Sequence, residues 1–185
     1  RIVHQMAGDP DIAAHCGVAE FRVDQGPEFA AFISPGMLPG HAVAVTGSGL
    51  CLAVNAVQPE ACGAGIPGIV LTRALLNMPD LSSAIQFLND APRRGGFHLS
   101  LAQRGGSVLL GIETTADAVS VQHAKAPAVH TNHLIHEPLQ DVAQHITPSS
   151  RWRLEHGNAA LEHNDDIDPL SVLTGLRNDA PTDVP

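Results

Sequence analysis

The sequence is short of positive charge: ten lysine and arginine residues stand against nineteen aspartate and glutamate, a formal net charge of −9 over 185 residues. A groove for nucleic acid needs the opposite sign, and the arginines, Arg73, Arg93, Arg94, Arg104, Arg151 and Arg153 among them, are scattered rather than gathered, so that partner class is excluded. Cysteine is scarce as well. Cys16, Cys51 and Cys62 make neither a CxxC pair nor an even disulfide set, which points to a reducing, cytoplasmic setting. No apolar run approaches the roughly eighteen residues of a membrane span. Like charges form no run longer than a pair, and no internal repeat is visible. Arg1 is neither an initiator methionine nor the start of a signal-peptide pattern, so the expectation is that sequence lies upstream of it.

What is there suffices for one folded domain with a core: 44% hydrophobic and 16% charged residues are globular proportions. In the first half, short alternating runs are joined by glycine and proline. Residues 16–24 and 28–33 flank Gln25-Gly26-Pro27, and residues 41–46 and 50–57 flank Gly47-Ser48-Gly49, two hairpins of antiparallel sheet. The period then changes. Ile69, Leu71, Thr72, Leu75 and Leu76 recur at near-helical spacing, and after Pro79 the residues Leu81, Ala84, Ile85 and Leu88 follow i, i+3, i+4, i+7 behind Asp80 as N-cap. Strand patterns return at 97–103, 107–113, 118–124 and 127–132. Two further helices are expected, one from Thr147 with a proline in its first turn and Gly157 weakening its middle, the other over 168–179 capped by Asp168. Strands, helices, strands, helices in that order imply an α+β arrangement of antiparallel sheet covered by helices, not a doubly wound fold. The last residues, 180–185, read as a flexible tail.

The run AVHTNHLIHEP at 128–138 places His130, His133 and His136 three residues apart, the composition of a zinc cage. In an extended strand, offsets of three alternate faces, so one face cannot collect all three rings. Pro127 and Pro138 confine any helix here to little more than two turns. Histidines hydrogen-bonded around Asn132 are the expected arrangement, with no metal, and His41 and His98 are read as structural. Cys51, in the apolar run LCLAV, reads as a small core residue. Cys16 stands at a strand start and Cys62 in a glycine-rich loop, and all three thiols are taken as structural. GAGIPG at 63–68 lacks the Lys-Ser/Thr of a phosphate loop and reads as a loop entering a helix.

The segment SPGMLPGHAVAVTGSGLCLAVNAVQP (34–59), followed in order by GIPGIVLTRALLN, RRGGFHLSLA, HTNH and SSRWRL, resembles the penicillin acyltransferase-like (peptidase C45) family of N-terminal nucleophile amidohydrolases. The blocks cover most of the chain. The resemblance implies an αββα sandwich, two antiparallel sheets stacked between helical layers, incomplete here at its N-terminus. Residues 1–179 would be a partial hydrolase domain. It also implies a precursor that cuts itself, so that a cysteine becomes the first residue of the mature chain and its own α-amino group serves as base for the thiol. That cysteine would lie upstream of Arg1, on a missing N-terminal segment of the same precursor, and this chain by itself would be inactive. The implied substrate is a small-molecule amide or acyl donor attacked at a C–N bond, with no cofactor.

By the same resemblance Asn132 donates to the oxyanion, Asn55 helps shape the oxyanion pocket, and Arg151 sets the charge near the nucleophile or binds a substrate carboxylate. Spacing alone leaves other readings open: Asn132 as a turn asparagine ending a strand, Asn55 as the cap of a neighbouring turn, Arg151 as a solvated residue on a first helical turn with Arg153 as its rival. The chain departs from the family at Gln5 and Ala7, which stand where the family has asparagine and aspartate in an HNEDG-like motif. Ala7 has no hydrogen-bonding side chain. A family member that has lost catalysis and serves as a binding or scaffold protein is the alternative.

Overall fold

A computed structural model of the chain describes residues 2–4, 6, 10–124, 127–162, 168 and 170–171. Gln5 and Ala7, the expected tail at 180–185 and nearly all of the helix expected over 168–179 lie outside the described residues.

Seven strands lie side by side in chain order, each antiparallel to the next: β1 (Gly17–Phe21), β2 (Phe29–Ile33), β3 (Val43–Thr46), β4 (Leu50–Ala56), β5 (Phe97–Gln103), β6 (Leu109–Thr114) and β7 (Val119–His123). Both expected hairpins form. Phe21 faces Phe29 across the first, and Val45 faces Cys51 across the second. The second turn depends on Gly49, whose φ of 93° is open to glycine and strained for a side chain. There Thr46 Oγ1 accepts the Leu50 N–H at 3.0 Å, and the Thr46 carbonyl accepts the Gly49 N–H at 2.9 Å.

Between β4 and β5 run α2 (Gly68–Leu75) and α3 (Leu81–Asp90). Asp80 caps α3 as its sequence position implies, its Oδ1 accepting the Ser83 N–H at 2.8 Å. Leu71, Leu75, Ala84 and Leu88 are buried and pack on one face of the sheet with Phe29, Leu52, Val54, Phe97, Leu99, Leu101, Leu110 and Ile112, which forms the main core. A single turn, α1 (Pro10–Ala13), precedes β1, and α4 (Pro148–Glu162) follows a long irregular segment after β7. Thr147 caps α4, its hydroxyl accepting the Ser150 N–H at 3.1 Å with Pro148 in the first turn. Gly157 lies in the middle of this helix and is buried.

The register puts a different set of residues on the other face: Val18, Ala30, Phe32, Val43, Val45, Cys51, Ala53, Asn55, His98, Ser100, Gly111, Glu113 and Ser120. This face has two characters. Over β1–β3 it is apolar and open, with Val18 76% and Val45 46% exposed, and it carries a groove of about 350 Å³ bordered by His4, Met6, Val18, Phe32, Val43 and Val45. Over β4–β7 it is polar and buried beneath residues 130–136. Cys51 therefore does not belong to the core. It is half-buried on the open face, while Leu50 and Leu52 on either side point into the core.

Residues 127–132 are not a strand. Val129 to Asn132 join no ladder, and the run on to Ile146 is irregular. Face alternation consequently does not apply to the three histidines, and all of them turn inward. Side chains take the place of a ladder here: Glu113, Ser150 and Gln144 accept the N–H groups of residues 132, 134, 135 and 136. A small second core of Val57, Leu134 and Leu139 lies beneath the continuation of this segment. Among the described residues one sheet is present, and no strand of a second sheet is found.

Candidate active site

The site is organised by a residue that the sequence reading passed over. Glu113, on β6, is fully buried, and its carboxylate takes three N–H donors from one loop. Oε1 accepts from His130 Nε2 at 2.8 Å and from the Ile135 amide at 2.7 Å, and Oε2 accepts from the His136 amide at 3.0 Å. Burial opposes ionisation, but the bonds from His130, Ile135 and His136 outweigh it and hold the carboxyl below its usual range. His130 is gripped on both sides, since its Nδ1 lies 2.7 Å from the Thr131 carbonyl. A neutral imidazole has one N–H to offer two acceptors. The ring is held between the carboxylate and the Thr131 carbonyl, with Asn55 Nδ2 3.4 Å from its Nδ1.

His98, opposite Glu113 across the ladder, stacks flat on His130 with ring centroids 3.4 Å apart and meets His136 edge-on at 6.5 Å. Both rings stand over Gly111: a β-carbon there would touch His136 Nε2 at 3.4 Å and His98 Nε2 at 3.6 Å. Burial, and then the neighbouring His130, His136 and His4, hold the His98 pKa well below its usual value. His98 Nδ1 is buried without a hydrogen-bond partner. His136 Nδ1 bonds Ser120 Oγ at 3.0 Å, His133 Nδ1 bonds Ser150 Oγ at 2.8 Å, and burial lowers the pKa of both rings. Among the described residues no three His, Cys, Asp or Glu side chains converge as a metal site.

Asn132 sits at the outer bend of this loop, beside the end of β4 and the start of α4. Its backbone N–H donates to the buried hydroxyl of Ser150 at 2.9 Å. One hydrogen of its carboxamide goes to the Ala56 carbonyl at 3.0 Å, and its Oδ1 accepts from Arg153 Nη2 at 2.9 Å. The carboxamide is thus fixed at both ends with one N–H left over. Asn55, on β4, lies directly beneath. Its Nδ2 donates to the carbonyls of Thr131 and His130 at 3.1 and 3.2 Å, so its hydrogens are spent on the loop that carries Asn132.

Asn132 and Asn55 are therefore brought together, 77 positions apart in sequence, and Arg151 is not joined to them. Arg151 is exposed on the first turn of α4, whereas Arg153, two residues on and on the opposite side of the helix, bonds Asn132. His41 binds Thr72 Oγ1 at 3.0 Å, away from the site. Glu113 left no local trace in sequence: in LLGIETT it occupies an ordinary strand position, and its partners come 17 to 23 residues later.

No curated protein matches the chain. Among solved structures it is similar to penicillin V acylase from Agrobacterium tumefaciens, at 14% identity and a TM-score of 0.49, covering 86% of this chain and 58% of that one. It is similar also to a variant of conjugated bile acid hydrolase from Clostridium perfringens, at 14% identity and a TM-score of 0.49, covering 82% of this chain and 63% of that one. The chain thus spans about three-fifths of the length of the structures it matches. Residues 8–178 match the profile of the family described as acyl-coenzyme A:6-aminopenicillanic acid acyl-transferase. A match that runs through nearly the whole sequence and takes in Asn55, Glu113, Asn132 and Arg153 decides the matter, and the chain belongs to this penicillin acyltransferase-like family.

Proposed function

We propose that this chain is the body of an amidohydrolase or acyltransferase that acts on linear amide C–N bonds through an N-terminal cysteine supplied by an upstream segment of the same precursor. The thiol attacks the carbonyl, the amine leaves, and the acyl-enzyme passes its acyl group to water or to an amine. Asn132 stabilises the oxyanion with its free N–H. Asn55 holds the loop beneath it, the guanidinium of Arg153 keeps the carboxamide oriented, and Arg151 on the same helix adds positive charge nearby.

The observation that carries this reading is the fixed carboxamide of Asn132, held at both ends by groups from β4 and α4. Oxyanion stabilisation demands a donor whose position is set before the reaction. The open apolar face over β1–β3 supports a two-sheet sandwich, in which a second sheet from the upstream segment covers Val18, Phe32, Val43 and Val45. Three free thiols fit a reducing, cytoplasmic setting, and no described helix is long and apolar enough to cross a membrane.

The test is to express the chain with its upstream coding sequence and determine the N-terminal residue by mass spectrometry. The protein is then incubated with a panel of N-acyl amines, and acyl groups are sought on the terminal sulfur. Asn132→Ala should lower kcat by about 10²–10³-fold. Absence of a cysteine at the mature terminus, or an Asn132→Ala variant as active as the parent, overturns the reading. The same experiment decides for the second reading, a binding or scaffold protein, which the departures at Gln5 and Ala7 favour: such a protein starts with a residue other than cysteine or never takes up an acyl group.

A further inference from the structure

We propose that Glu113 is the positioning residue of this site: a carboxylate that clamps both flanks of the 130–136 loop and thereby fixes where the Asn132 carboxamide points. The proposal rests on the amidase reading for its catalytic consequence, though not for its structural one.

The geometry has three parts. The loop belongs to no ladder, so its backbone needs other partners or it cannot hold one shape. Glu113 reaches it at two places, the His130 ring before Asn132 and the amides of Ile135 and His136 after it, from one rigid strand. The bend between them is then closed by Asn55 on the carbonyls of residues 130 and 131, and by Ser150 on the Asn132 amide. A carboxylate suits this task because both of its oxygens accept. A glutamine of the same shape would turn an NH₂ toward one of the three donors, opposing hydrogen to hydrogen. Among the described residues the groups around the carboxylate are His98 and Ser120 on the flanking strands and His130 and His136 on the loop, with His133, Arg151 and Arg153 one layer out.

In the 185-residue chain, Glu113→Gln should keep the sheet and helices, seen as unchanged amide signals from β5 and α3, while the side-chain NH₂ signals of Asn132 shift or split. Exchange of the Ile135 and His136 amides with solvent should accelerate roughly tenfold or more. If Glu113→Gln does not fold, His130→Gln removes one flank of the clamp alone and should give the same changes at smaller size. In the protein carrying its cysteine, Glu113→Gln should lower kcat by about 100-fold, the size expected for a catalytic group displaced by an ångström, with KM nearly unchanged. Glu113→Asp, which keeps two acceptors, should recover part of it. Unaltered Asn132 signals and unaltered exchange at residues 135 and 136 in a folded variant overturn the proposal. If the parent protein takes up no acyl group, the amidase reading fails instead, and the spectroscopic arm still decides on the clamp.

Discussion

At the scale of single residues, the site is a bargain between burial and protonation. One carboxylate, Glu113, serves a group of imidazoles, and a single one of them, His130, is paired with it. His98 is 3% exposed, lies against the His130 ring and has an unpartnered Nδ1, so a proton arriving there would be unsolvated and crowded among other imidazoles. Its folded pKa is accordingly depressed, and the unfolded chain binds the extra proton more readily than the native one. The stabilisation is complete above the ordinary histidine value of 6.5 and is lost as pH falls below it, with His133 and His136 acting in the same direction. Glu113, itself depressed, adds a loss below about pH 4.5. Urea unfolding between pH 5 and 8 should therefore show stability rising with pH through the lower part of this range and levelling above about pH 7. His98 should contribute a slope of up to about 1.4 kcal/mol per pH unit, and His98→Asn should flatten that limb. A parent protein whose stability is flat from pH 5 to 7 would contradict the whole arrangement. Asn55 draws notice in the sequence because a polar amide in the apolar run AVNAV needs a reason, and Asn132 only through the resemblance carried by HTNH. Glu113 draws none, because what marks it is convergence of donors from a loop that local periodicity does not place.

Elements were legible in proportion to how local their causes are. The hairpins at 16–33 and 41–57 declare themselves through alternation and glycine turns, and α3 through Asp80 and a four-residue apolar stripe. Thr147-Pro148 likewise marks the start of α4. The stretch 127–132 alternates well enough to read as a strand, but a strand needs a neighbouring backbone, and here the N–H groups go to Glu113, Ser150 and Gln144 instead. The same reasoning tells which elements hold the fold. Leu88 on α3 has no exposed surface and packs into the core with Leu99 and Leu101, so Leu88→Ala should cost about 2–5 kcal/mol, whereas Ser82→Ala on the exposed side of the same helix should change stability by less than about 0.5 kcal/mol. Chemical denaturation of the two variants separates a load carried by packing from one carried by helix propensity.

At the scale of the whole molecule, the sheet is asymmetric: one face is sealed by α2 and α3, and the other is sealed only over β4–β7. The register of β1–β3 puts valines and Phe32 where solvent reaches them, which composition and periodicity could not reveal, since alternation says that a strand has two faces but not what covers each. A second sheet laid across this face would bury Val45, and the prediction separates the two conditions. In the chain alone, Val45→Asp sits on a half-open surface and should shift unfolding by no more than about 0.5 kcal/mol while reducing self-association in sedimentation. If an upstream segment supplies that second sheet, the same carboxylate in the protein expressed with it would be forced into an apolar interlayer with no partner, and the loss should reach roughly 3 kcal/mol or more. Equal and small effects in both proteins would mean that nothing packs there, and the sandwich would have to be abandoned even if Asn132 proved to be the oxyanion donor.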